Sequence, residues 1–595
     1  MAISGLPSPT SRLTIRMHPL GSSPSTRSFL QSSHMLTILI ATALITVALA
    51  TVHPLPFHIH DALPTIAAYS TNPADNDPAM FCWNLWWTAG WMDGKHPLLT
   101  CSYLHHPFGI SLARHTLSPA NGILAWPVTR TLGCIPAHNI LVILHALFTT
   151  CTAFLLARKL GIPHGSALLT ATIFTWWPAR NIHAAFHLNL ASTGWLCLSL
   201  SLMLMATGIR RHHRGWIFAA ALAVAATGAS SWYLLLNLVL LTPIILSAAI
   251  PVFRGETDRD DEPAEQAARS HGPNLDLAAP AAALILGLIL LLPLIIPLLT
   301  PDPDIPARSR EEKETYSIPL LNHAVPPVNS RVFHHRVKSF YRNRSGNAIE
   351  TTGYLGLGVL ALALTAGRRS RSARRLLAGA AVCVIVSWGP TAHFGDNAVP
   401  LPYRWLDMLP GLEIGRTPGR FMIPAGLLLA LAAGYGLHRL WMKNRPLAAV
   451  LCGLVLTELL PAPMDLIPLS RTGLPSARRI LAHNRVPTGG ILMVPNDWTD
   501  RETLLLQTVH GQPITTGFAA RLPDSVFQRI DGIPGLKQLS SITSSAKDAA
   551  AIPDVSGDTW ARLATALDIR SIWIGGISPR IVPIDTLAVP SVPVA

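Results

Sequence analysis

Two aspartates precede a tryptophan-rich stretch in a segment that proline residues punctuate. The segment reads Asn72-Pro73-Ala74-Asp75-Asn76-Asp77-Pro78, and tryptophans follow from position 83 to position 91. Asp and Asn ahead of proline favour a turn and a helix start, so capping is the simplest role for either carboxylate. The alternative is a general base, because partial burial raises the pKa of a carboxyl group towards the working range. The tryptophan-rich stretch itself predicts an amphipathic helix at the level of the lipid headgroups.

Histidines that could bind a metal occur at two places, His105-His106 and the pair His183 and His187. Residues four apart share one face of a helix. No HExxH or comparable signature accompanies the pair, so a structural or hydrogen-bonding role is the preferred interpretation. The sequence therefore predicts no metal site and no cofactor, and leaves a divalent cation open.

The elements that must position these side chains are long apolar runs. Half of the 595 residues are hydrophobic, 13% are charged, and the mean hydropathy is +0.37. Soluble domains carry about 25% charged residues. The apolar residues come in runs of about 17–25, the length that crosses a bilayer. The net charge of +14 comes mostly from short basic clusters between these runs. That distribution is typical of topology signals, and we predict no nucleic-acid partner.

The runs predict a polytopic all-α membrane domain with about 11 transmembrane helices. The predicted spans are 36–52, 137–157, 164–180, 188–208, 215–230, 231–252, 277–299, 353–367, 376–390, 420–440 and 446–462. The first is preferred as an uncleaved signal anchor over a signal peptide cut near Ala48-Leu49-Ala50. The segment Ser118–Cys134 contains Pro119 and Pro127, and is predicted to be re-entrant or interfacial. A full crossing there would reverse the sidedness of everything that follows.

Short basic loops set the predicted orientation in the cytoplasmic (inner) membrane of a cell. Arg158-Lys159, Arg210-Arg211, the cluster 368–375 and Arg439 all fall on one side, together with the N-terminal tail 1–34. That side is assigned to the cytoplasm. The membrane domain covers residues 35–462, and its loops 53–136, 301–352 and 391–419 then face outward.

Residues 463–595 change character and are predicted to form a small extracytoplasmic α/β domain of about 130 residues. Gly490–Pro495 and Ile569–Ile574 are predicted strands, with helices at Ser476–His483 and Thr559–Leu567.

The seven cysteines have no CxxC spacing. Cys82, Cys101 and Cys134 fall in or near the first outer loop, and a Cys82–Cys101 disulfide is open if that side is oxidising.

A series of different short motifs is distributed along nearly the whole chain. They are Asp77 with Trp83-Asn84-Leu85-Trp86-Trp87, His106-Pro107-Phe108-Gly109, His115-Thr116-Leu117-Ser118-Pro119, Pro178-Ala179-Arg180, His187-Leu188-Asn189, Glu350 before Gly353-Tyr354-Leu355-Gly356, Pro418-Gly419-Arg420-Phe421 and Gln507-Thr508-Val509-His510-Gly511. In this order and spacing they resemble a large group of bacterial multi-pass proteins related to the GT-C fold glycosyltransferases, which use lipid-linked sugars.

The resemblance implies a polyprenyl-phosphate sugar as donor and an acidic residue in the first outer loop as the catalytic base. Carried onto this chain, Asp77 is the first candidate and Asp75 the second. The carboxylate would deprotonate an acceptor hydroxyl, which displaces the lipid phosphate with inversion. The protein O-mannosyltransferase type has two adjacent acidic residues, whereas Asn76 separates the two here.

A phosphate leaving group needs cationic donors at the outer surface. The loop 301–352 supplies Arg331, Arg336, Lys338 and Arg342, and Arg416 and Arg420 flank the start of a span, where a guanidinium can fork onto a phosphate. The alternative for each is interfacial snorkelling. Glu350, His115 and His187, from the matching motifs, complete the predicted substrate-binding residues.

The leading hypothesis is a membrane glycosyltransferase that moves a hexosyl or pentosyl group to a glycan, lipid or protein acceptor in the cell envelope. One alternative is a lipid or polysaccharide transporter, although that class usually carries ionisable residues within its spans, and these spans are nearly free of them. The other alternative is a non-catalytic membrane scaffold of the same fold.

Overall fold

Each predicted span coincides with an α-helix or with two consecutive helices. The computed structural model describes residues 24–66, 76–207, 213–253, 276–300, 302–305, 308–342, 348–394, 397–406, 408, 415–483, 488–494, 496–533, 536, 563, 565, 567–574 and 580–583. Contacts group residues 1–43 and residues 44–595 as separate units. The described part of the first unit is residues 24–43, at the beginning of helix α1, and the contacts described below lie within the second unit.

The helices are listed here in chain order. They are α1 (Pro24–Val52), α2 (Asp77–Met92), α3 (Pro119–Leu132), α4 (Cys134–Lys159), α5 (His164–Trp176), α6 (Pro178–Phe186), α7 (Leu188–Ala191), α8 (Thr193–Ala206), α9 (His213–Ser230), α10 (Trp232–Phe253), α11 (Ala278–Leu290), α12 (Leu292–Leu299), α13 (Arg310–Thr315), α14 (His334–Arg342), α15 (Leu357–Gly367), α16 (Arg371–Ser387), α17 (Tyr403–Leu406), α18 (Met422–Lys443), α19 (Arg445–Leu459), α20 (Leu474–His483), α21 (Glu502–His510) and α22 (Asp524–Asp531).

Within the described residues, five helical segments are long and apolar enough to cross a membrane. They are Met35–Val52, Cys134–Lys159, Leu188–Ala206, Trp232–Phe253 and Pro418–Lys443. Helices α11 and α12 would make a sixth, but they meet at a bend of 68°. The predicted span 164–180 is interrupted, because Pro178 breaks the run between α5 and α6. The protein is a helical membrane protein, and the count of about 11 crossings stays a prediction.

Helix α3 is a separate short element in the segment that was difficult to assign from the sequence. It has 14 residues, well short of the roughly 20 that cross a bilayer. Gly133, at φ 92°, ends it one residue before α4 begins at Cys134. The length agrees with a segment that does not cross, and its re-entrant or interfacial placement stays a prediction.

Helix α2 corrects the expectation of an amphipathic helix at the headgroups. It is buried within the protein, and the indoles of Trp83 and Trp87 are fully buried and stacked at 5.3 Å. Trp83 Nε1 donates to Oε1 of Gln507 at 2.7 Å, and Trp87 Nε1 donates to the carbonyl of Leu98 at 2.9 Å. Gln507 is 424 positions from Trp83, so part of the cover for these indoles comes from a distant segment that a local pattern cannot reveal.

Within the part of the chain that the structure describes, four small sheets accompany the helices. The strands are β1 (Ala62–Thr65), β2 (Thr100–Cys101), β3 (Ile110–Ser111), β4 (Thr391–Phe394), β5 (Asn397–Pro400), β6 (Asp465–Pro468), β7 (Gly490–Val494), β8 (Ile569–Ile574) and β9 (Arg580–Pro583). Three antiparallel pairs are β1–β6, β2–β3 and β4–β5, and β8 lies between β7, which is parallel to it, and β9, which is antiparallel. The two predicted strands of the C-terminal region are thus confirmed as β7 and β8.

The C-terminal region shares its core with the loop 53–136. One hydrophobic cluster contains Trp83 of α2 together with Ile491 of β7 and Leu505 of α21. The pairing of β1 with β6 also joins this loop to the residues just after α19. A domain boundary at residue 463 therefore stays a prediction, and the predicted helix Thr559–Leu567 lies mostly outside the described residues.

Glu458, one of the few acidic residues at the end of a predicted span, caps another helix. Its carboxylate accepts hydrogen bonds from the backbone N–H groups of Leu357 and Gly358, at 2.9 Å each, and from the hydroxyl of Tyr354 at 3.1 Å. These N–H groups belong to the first turn of α15, where backbone N–H groups have no acceptor within the helix. Glu458 thus has a structural role as the cap of α15.

Candidate active site

Asp77 begins α2, and its carboxylate is held by two side chains from distant parts of the chain. Arg501 Nε donates to Oδ1 at 2.5 Å, and His187 Nε2 lies 3.0 Å from Oδ2. The side chain is 15% exposed. Asp77 is therefore a member of an ion-paired cluster at the start of the helix. Asp75, the second candidate base, lies outside the described residues.

The electrostatics of Asp77 correct one expectation. Burial raises the pKa of this carboxyl group, as predicted, but the hydrogen bonds and charges of His187 and Arg501 outweigh that effect. The net result is a pKa below the ordinary value for aspartate. Asp77 is consequently ionised at neutral pH, and any base function must operate from a carboxylate stabilised by two donors.

A chain of polar contacts leads from Asp77 to a buried ion pair. His187 Nδ1 lies 3.1 Å from His183 Nδ1, and His183 Nε2 lies 3.5 Å from Oε2 of Glu350. Arg420 then forks onto Glu350, with Nε 3.1 Å from Oε2 and Nη2 on Oε1. The contact between the two histidine rings forms at the end of α6. His187 follows the last residue of this helix, and the backbone N–H of His187 still donates to the carbonyl of His183.

The same cluster could hold a metal ion. One ligand atom from each of His183, His187 and Glu350 lies within 4.8 Å of the others. Two imidazoles and a carboxylate are a donor set that zinc and related divalent ions accept. Arg420 already engages both oxygens of Glu350, and with His183 it keeps the pKa of this carboxyl group far below normal despite burial. A metal would have to compete with that guanidinium, and the predicted absence of a metal stays a prediction.

Asp77 lies in the wall of a cavity of about 430 Å³ that six arginines also line. The six are Arg114, Arg308, Arg416, Arg420, Arg501 and Arg521. Glu312 is shared by two of them, at 2.9 Å from Arg308 Nη1 and 3.3 Å from Arg416 Nη1. Arg114 donates to a neutral acceptor, the carbonyl of Thr300, at 2.7 Å. The described part of this wall is thus rich in guanidinium groups.

Part of the cavity lining is apolar. Leu294 and Leu298 reach it from α12, which follows the 68° bend after α11, and Leu236 reaches it from α10. Leu406 of α17 and Phe421 complete this apolar wall. One cavity therefore joins a carboxylate, several cations and a hydrocarbon-lined face.

His115 lines the cavity but uses both ring nitrogens within the protein. Its Nε2 lies 2.9 Å from Oδ1 of Asn84, and its Nδ1 accepts the backbone N–H of Ala520 at 3.1 Å. Burial lowers the pKa of His115 to about 4, so the ring is neutral. Its contact with Ala520 positions the neighbouring Arg521. The structure thus supports a positioning role for this predicted substrate-binding residue.

The predicted basic residues divide into two groups. Arg416 and Arg420 line the cavity, and Glu350 pairs with Arg420. The other four do not line this cavity. These are Arg331, just before α14, and Arg336, Lys338 and Arg342 on it, and all four are exposed. Helix α14 buries Val337 and Tyr341 against a small cluster, so its basic face turns to the surface.

Sequence reasoning missed Arg114, Arg308, Arg501 and Arg521 as site residues. Arg501 is 424 positions from Asp77, and no local pattern links the two. The available signal was the motif Gln507-Thr508-Val509-His510-Gly511, which begins six residues after Arg501.

Residues 39–458 match the family described as "Domain of unknown function (DUF6311)". A search of curated proteins gives no match to the chain. Solved structures similar to it include the archaeal oligosaccharyltransferase AglB from Archaeoglobus fulgidus, in complex with an inhibitory peptide and a dolichol-phosphate. The identity is 11%, the TM-score is 0.46, and the match covers 90% of this chain and 69% of that chain. ArnT from Cupriavidus metallidurans, bound to undecaprenyl phosphate, matches with 14% identity and a TM-score of 0.42 over 94% of this chain and 99% of that chain. Because the family match spans well over half of the chain, this protein belongs to the DUF6311 family.

Proposed function

We propose that the chain is a membrane glycosyltransferase that transfers a sugar from a polyprenyl-phosphate donor to an acceptor hydroxyl in the cavity beside Asp77. The observation that carries the proposal is the meeting of an ionised carboxylate, a group of arginines and an apolar wall in one cavity. The sequence resemblance to GT-C enzymes supports the same function. The acceptor class stays open among glycan, lipid and protein.

Asp77 is the proposed base. Each of its oxygens has one described donor, so further lone pairs are available for an acceptor hydroxyl. The hydroxyl oxygen forms a bond to the anomeric carbon while the bond from that carbon to the lipid phosphate breaks. The electron pair leaves on the phosphate oxygen, and the hydroxyl proton passes to Asp77. Attack opposite the leaving group inverts the anomeric centre. Since the pKa of Asp77 is lowered, proton transfer accompanies bond formation rather than preceding it.

The arginine-rich wall is the proposed site for the donor phosphate. Arg308 and Arg416 share one carboxylate, so their two positive charges are only partly balanced by Glu312. Arg521 has Arg308 and Arg114 as cationic neighbours, and burial followed by these charges lowers its pKa. An anion bound among them would relieve this repulsion. It would also place donors where negative charge develops as the lipid phosphate leaves.

The apolar wall is the proposed entry for the first isoprene units of the carrier. Leu294, Leu298 and Leu236 come from helices that we predict to lie in the membrane. A hydrocarbon chain that reaches the cavity across these leucines keeps its apolar surface away from water. The phosphate then stays at the arginines, at the end of the helices.

The proposed orientation places the cavity on the outer face of the cytoplasmic membrane and the N-terminus in the cytoplasm. Helix α4 supports it: it begins at Cys134, beside Thr508 of α21, and ends at Arg158-Lys159. Its 26 residues separate these ends by about 39 Å at 1.5 Å per residue. Basic residues at the far end from the cavity fit the positive-inside tendency.

Sugar incorporation in membranes, with and without the protein, tests this function. Asp77→Asn preserves the size of the side chain but removes the base, and we expect incorporation to fall at least 100-fold, the range of general-base catalysis. Asp93→Asn is the matched control, because Asp93 follows the last residue of the same helix and pairs with Lys95 and Arg130 outside the cavity. Full activity of Asp77→Asn would refute the assignment. Incorporation that is no greater with the protein than without it would favour the non-catalytic scaffold.

A further inference from the structure

The motif Pro178-Ala179-Arg180 lies at the break between α5 and α6 and has no part in the transfer reaction proposed above. Arg180 is fully buried, and its guanidinium contacts three helices. Nε donates to the hydroxyl of Thr193 at 3.2 Å, and Nη1 donates to the carbonyl of Thr175 at 2.8 Å. Nη2 lies 3.5 Å from the hydroxyl of Thr149. These acceptors belong to α8, α5 and α4 in turn.

All three acceptors are neutral, which sets Arg180 apart from Arg420. The guanidinium of Arg420 forks onto the carboxylate of Glu350, whereas no carboxylate of the described residues pairs with Arg180. A buried guanidinium without a counter-ion carries a desolvation cost that no opposite charge offsets. An ionisable side chain that is buried at the end of a predicted span therefore indicates a specific function.

The break in the helix explains the contact with Thr175. Pro178 has no N–H group, and the last four carbonyl groups of an α-helix have no donor within the helix. The backbone N–H of Trp177 donates to the carbonyl of Phe174 at 3.2 Å, and Arg180 supplies a donor for the carbonyl of Thr175. The same guanidinium reaches α8 and α4. Arg180 thus ties the start of α6 to three neighbouring helices.

Helix α6 leads to two residues of the candidate site at its other end. His183 is three positions and His187 seven positions after Arg180, and this spacing places all three on one side of the helix and its C-cap. His183 Nε2 lies 3.5 Å from Oε2 of Glu350, and His187 Nε2 lies 3.0 Å from Oδ2 of Asp77. At 1.5 Å per residue, Arg180 and His187 are about 10 Å apart along the axis. A displacement at the Arg180 end therefore moves the histidine that holds the candidate base.

We propose that Arg180 is a positioning residue, which fixes α6 so that His187 donates to Asp77. This role rests on the proposed function, in which Asp77 is the base. A guanidinium suits the task, because its planar fork presents five N–H donors in fixed directions. A lysine keeps the positive charge but offers a compact ammonium, which does not reproduce the fork. The shape of the guanidinium, and not its charge alone, positions α6.

Chemical labelling of histidine tests the positioning without any measurement of sugar transfer. The full-length protein in detergent is treated with diethyl pyrocarbonate, and modified histidines are counted by peptide mass spectrometry. His183 is 1% exposed, so it is protected in the wild type. We expect its labelling to rise about tenfold in Arg180→Lys, because local opening exposes a side chain that packing protects. His138 of α4, which is also 1% exposed, is the internal reference and should stay protected.

Arg158→Lys is the matched control for this substitution. Arg158 also donates to a backbone carbonyl beyond a helix end, that of Ile162 at 2.6 Å, but it does so at the turn between α4 and α5. Its substitution should leave the labelling of His183 unchanged. Thr193→Val is a milder second variant, which removes one acceptor of Arg180 and keeps the size of the side chain. It should raise the labelling of His183 in the same direction, so the test does not depend on the folding of Arg180→Lys alone.

A double-mutant cycle tests whether Arg180 acts through His187. Arg180→Lys should lower kcat for sugar transfer about 10- to 100-fold, because a small displacement of a catalytic group is costly. In a His187→Ala background, the same substitution should lower kcat by less than about twofold, since coupled residues are not additive. A general loss of structure would instead lower kcat by the same factor in both backgrounds.

Three results would overturn the positioning role. Protection of His183 in both Arg180→Lys and Thr193→Val would show that the guanidinium does not fix α6. Joint exposure of His183 and His138 in both variants would show general unfolding instead of a local effect. Equal effects of Arg180→Lys in the two backgrounds would show that Arg180 does not act through His187. Absence of sugar transfer by the wild type would count against the proposed function, and the labelling would still decide whether Arg180 anchors the helix.

Discussion

Arg501 donates its Nε–H to Oδ1 of Asp77 at 2.5 Å, and this contact joins residues 424 positions apart. The guanidinium also lies over the ring of Phe518, 4.1 Å from its centre. The C-terminal region thus reaches the start of α2 and supplies one of the two donors that hold the candidate base.

Substitution of Arg501 by Gln should change the pH dependence of sugar transfer. Asp77 is active as a carboxylate, and its lowered pKa keeps it ionised into the acidic range. Loss of the Arg501 charge raises that pKa, so we expect the acidic limb of kcat/KM to move to higher pH. The activity at neutral pH should fall about 10- to 100-fold, because the carboxylate loses its positioning donor.

Arg570→Gln is the control for this substitution, because Arg570 is exposed and pairs only with the exposed Asp568 in the described residues. It should leave the profile unchanged. An acidic limb of Arg501→Gln that coincides with the wild type would remove Arg501 from the site.

The buried pair of Glu350 and Arg420 should dominate the stability of this part of the protein. Both side chains are under 10% exposed, so Glu350→Gln leaves a guanidinium without its counter-ion. We expect a loss of about 3–5 kcal/mol in the free energy of unfolding, measured by denaturation in detergent. Arg310→Gln, which opens a pair that is largely exposed, should cost far less. Equal losses in the two variants would contradict this ranking.

The same pair gives a pH dependence of stability whose sign can be stated. The pKa of Glu350 in the folded protein lies below its value in the unfolded chain. The contribution of Glu350 to the free energy of unfolding is therefore complete above the ordinary glutamate pKa, and it is lost only as the pH falls through the folded pKa. We expect the stability difference between wild type and Glu350→Gln to persist at pH 5. A difference that has disappeared by pH 5 would show that the pair is not formed.

Chelation should leave sugar transfer intact. His183, His187 and Glu350 have the geometry of a metal site, but Arg420 provides the positive charge that a metal would supply beside Glu350. We therefore expect full activity in excess EDTA, with no gain from added zinc, manganese or magnesium ions. Inactivation by EDTA that one of these ions reverses would establish a metal site at the three ligands.

Arginines of the cavity wall should determine the affinity for the donor. Arg416→Gln removes a cation next to the proposed phosphate position. Because a hydrogen bond to a charged group contributes substantially to binding free energy, KM for the lipid-linked sugar should rise about tenfold. Arg336→Gln, on the exposed face of α14, is the matched control and should have no effect. A larger effect at Arg336 would return the phosphate site to the loop 301–352.

Much of the framework follows from local patterns in the sequence. Each long apolar run predicted a helix, and the structure has a helix at each of those places. A run of this length and composition forms a helix in a membrane because its backbone N–H and C=O groups then bond to each other within the segment. The strands β7 and β8 were also predictable from short apolar runs. The helical breaks at Pro178 and at the 68° bend were harder, because the same apolar composition continues across them.

The sequence by itself identified Asp77, Arg416, Arg420, Glu350, His115 and His187 as candidates, since motif resemblance and residue type need no coordinates. The tertiary structure alone decided which side chains touch. It paired Asp77 with Arg501 and Glu350 with Arg420, and it turned the basic residues of α14 away from the cavity. The reason is physical: a pKa and an ion pair depend on burial and on charges within a few ångströms, and packing brings those charges from residues hundreds of positions away.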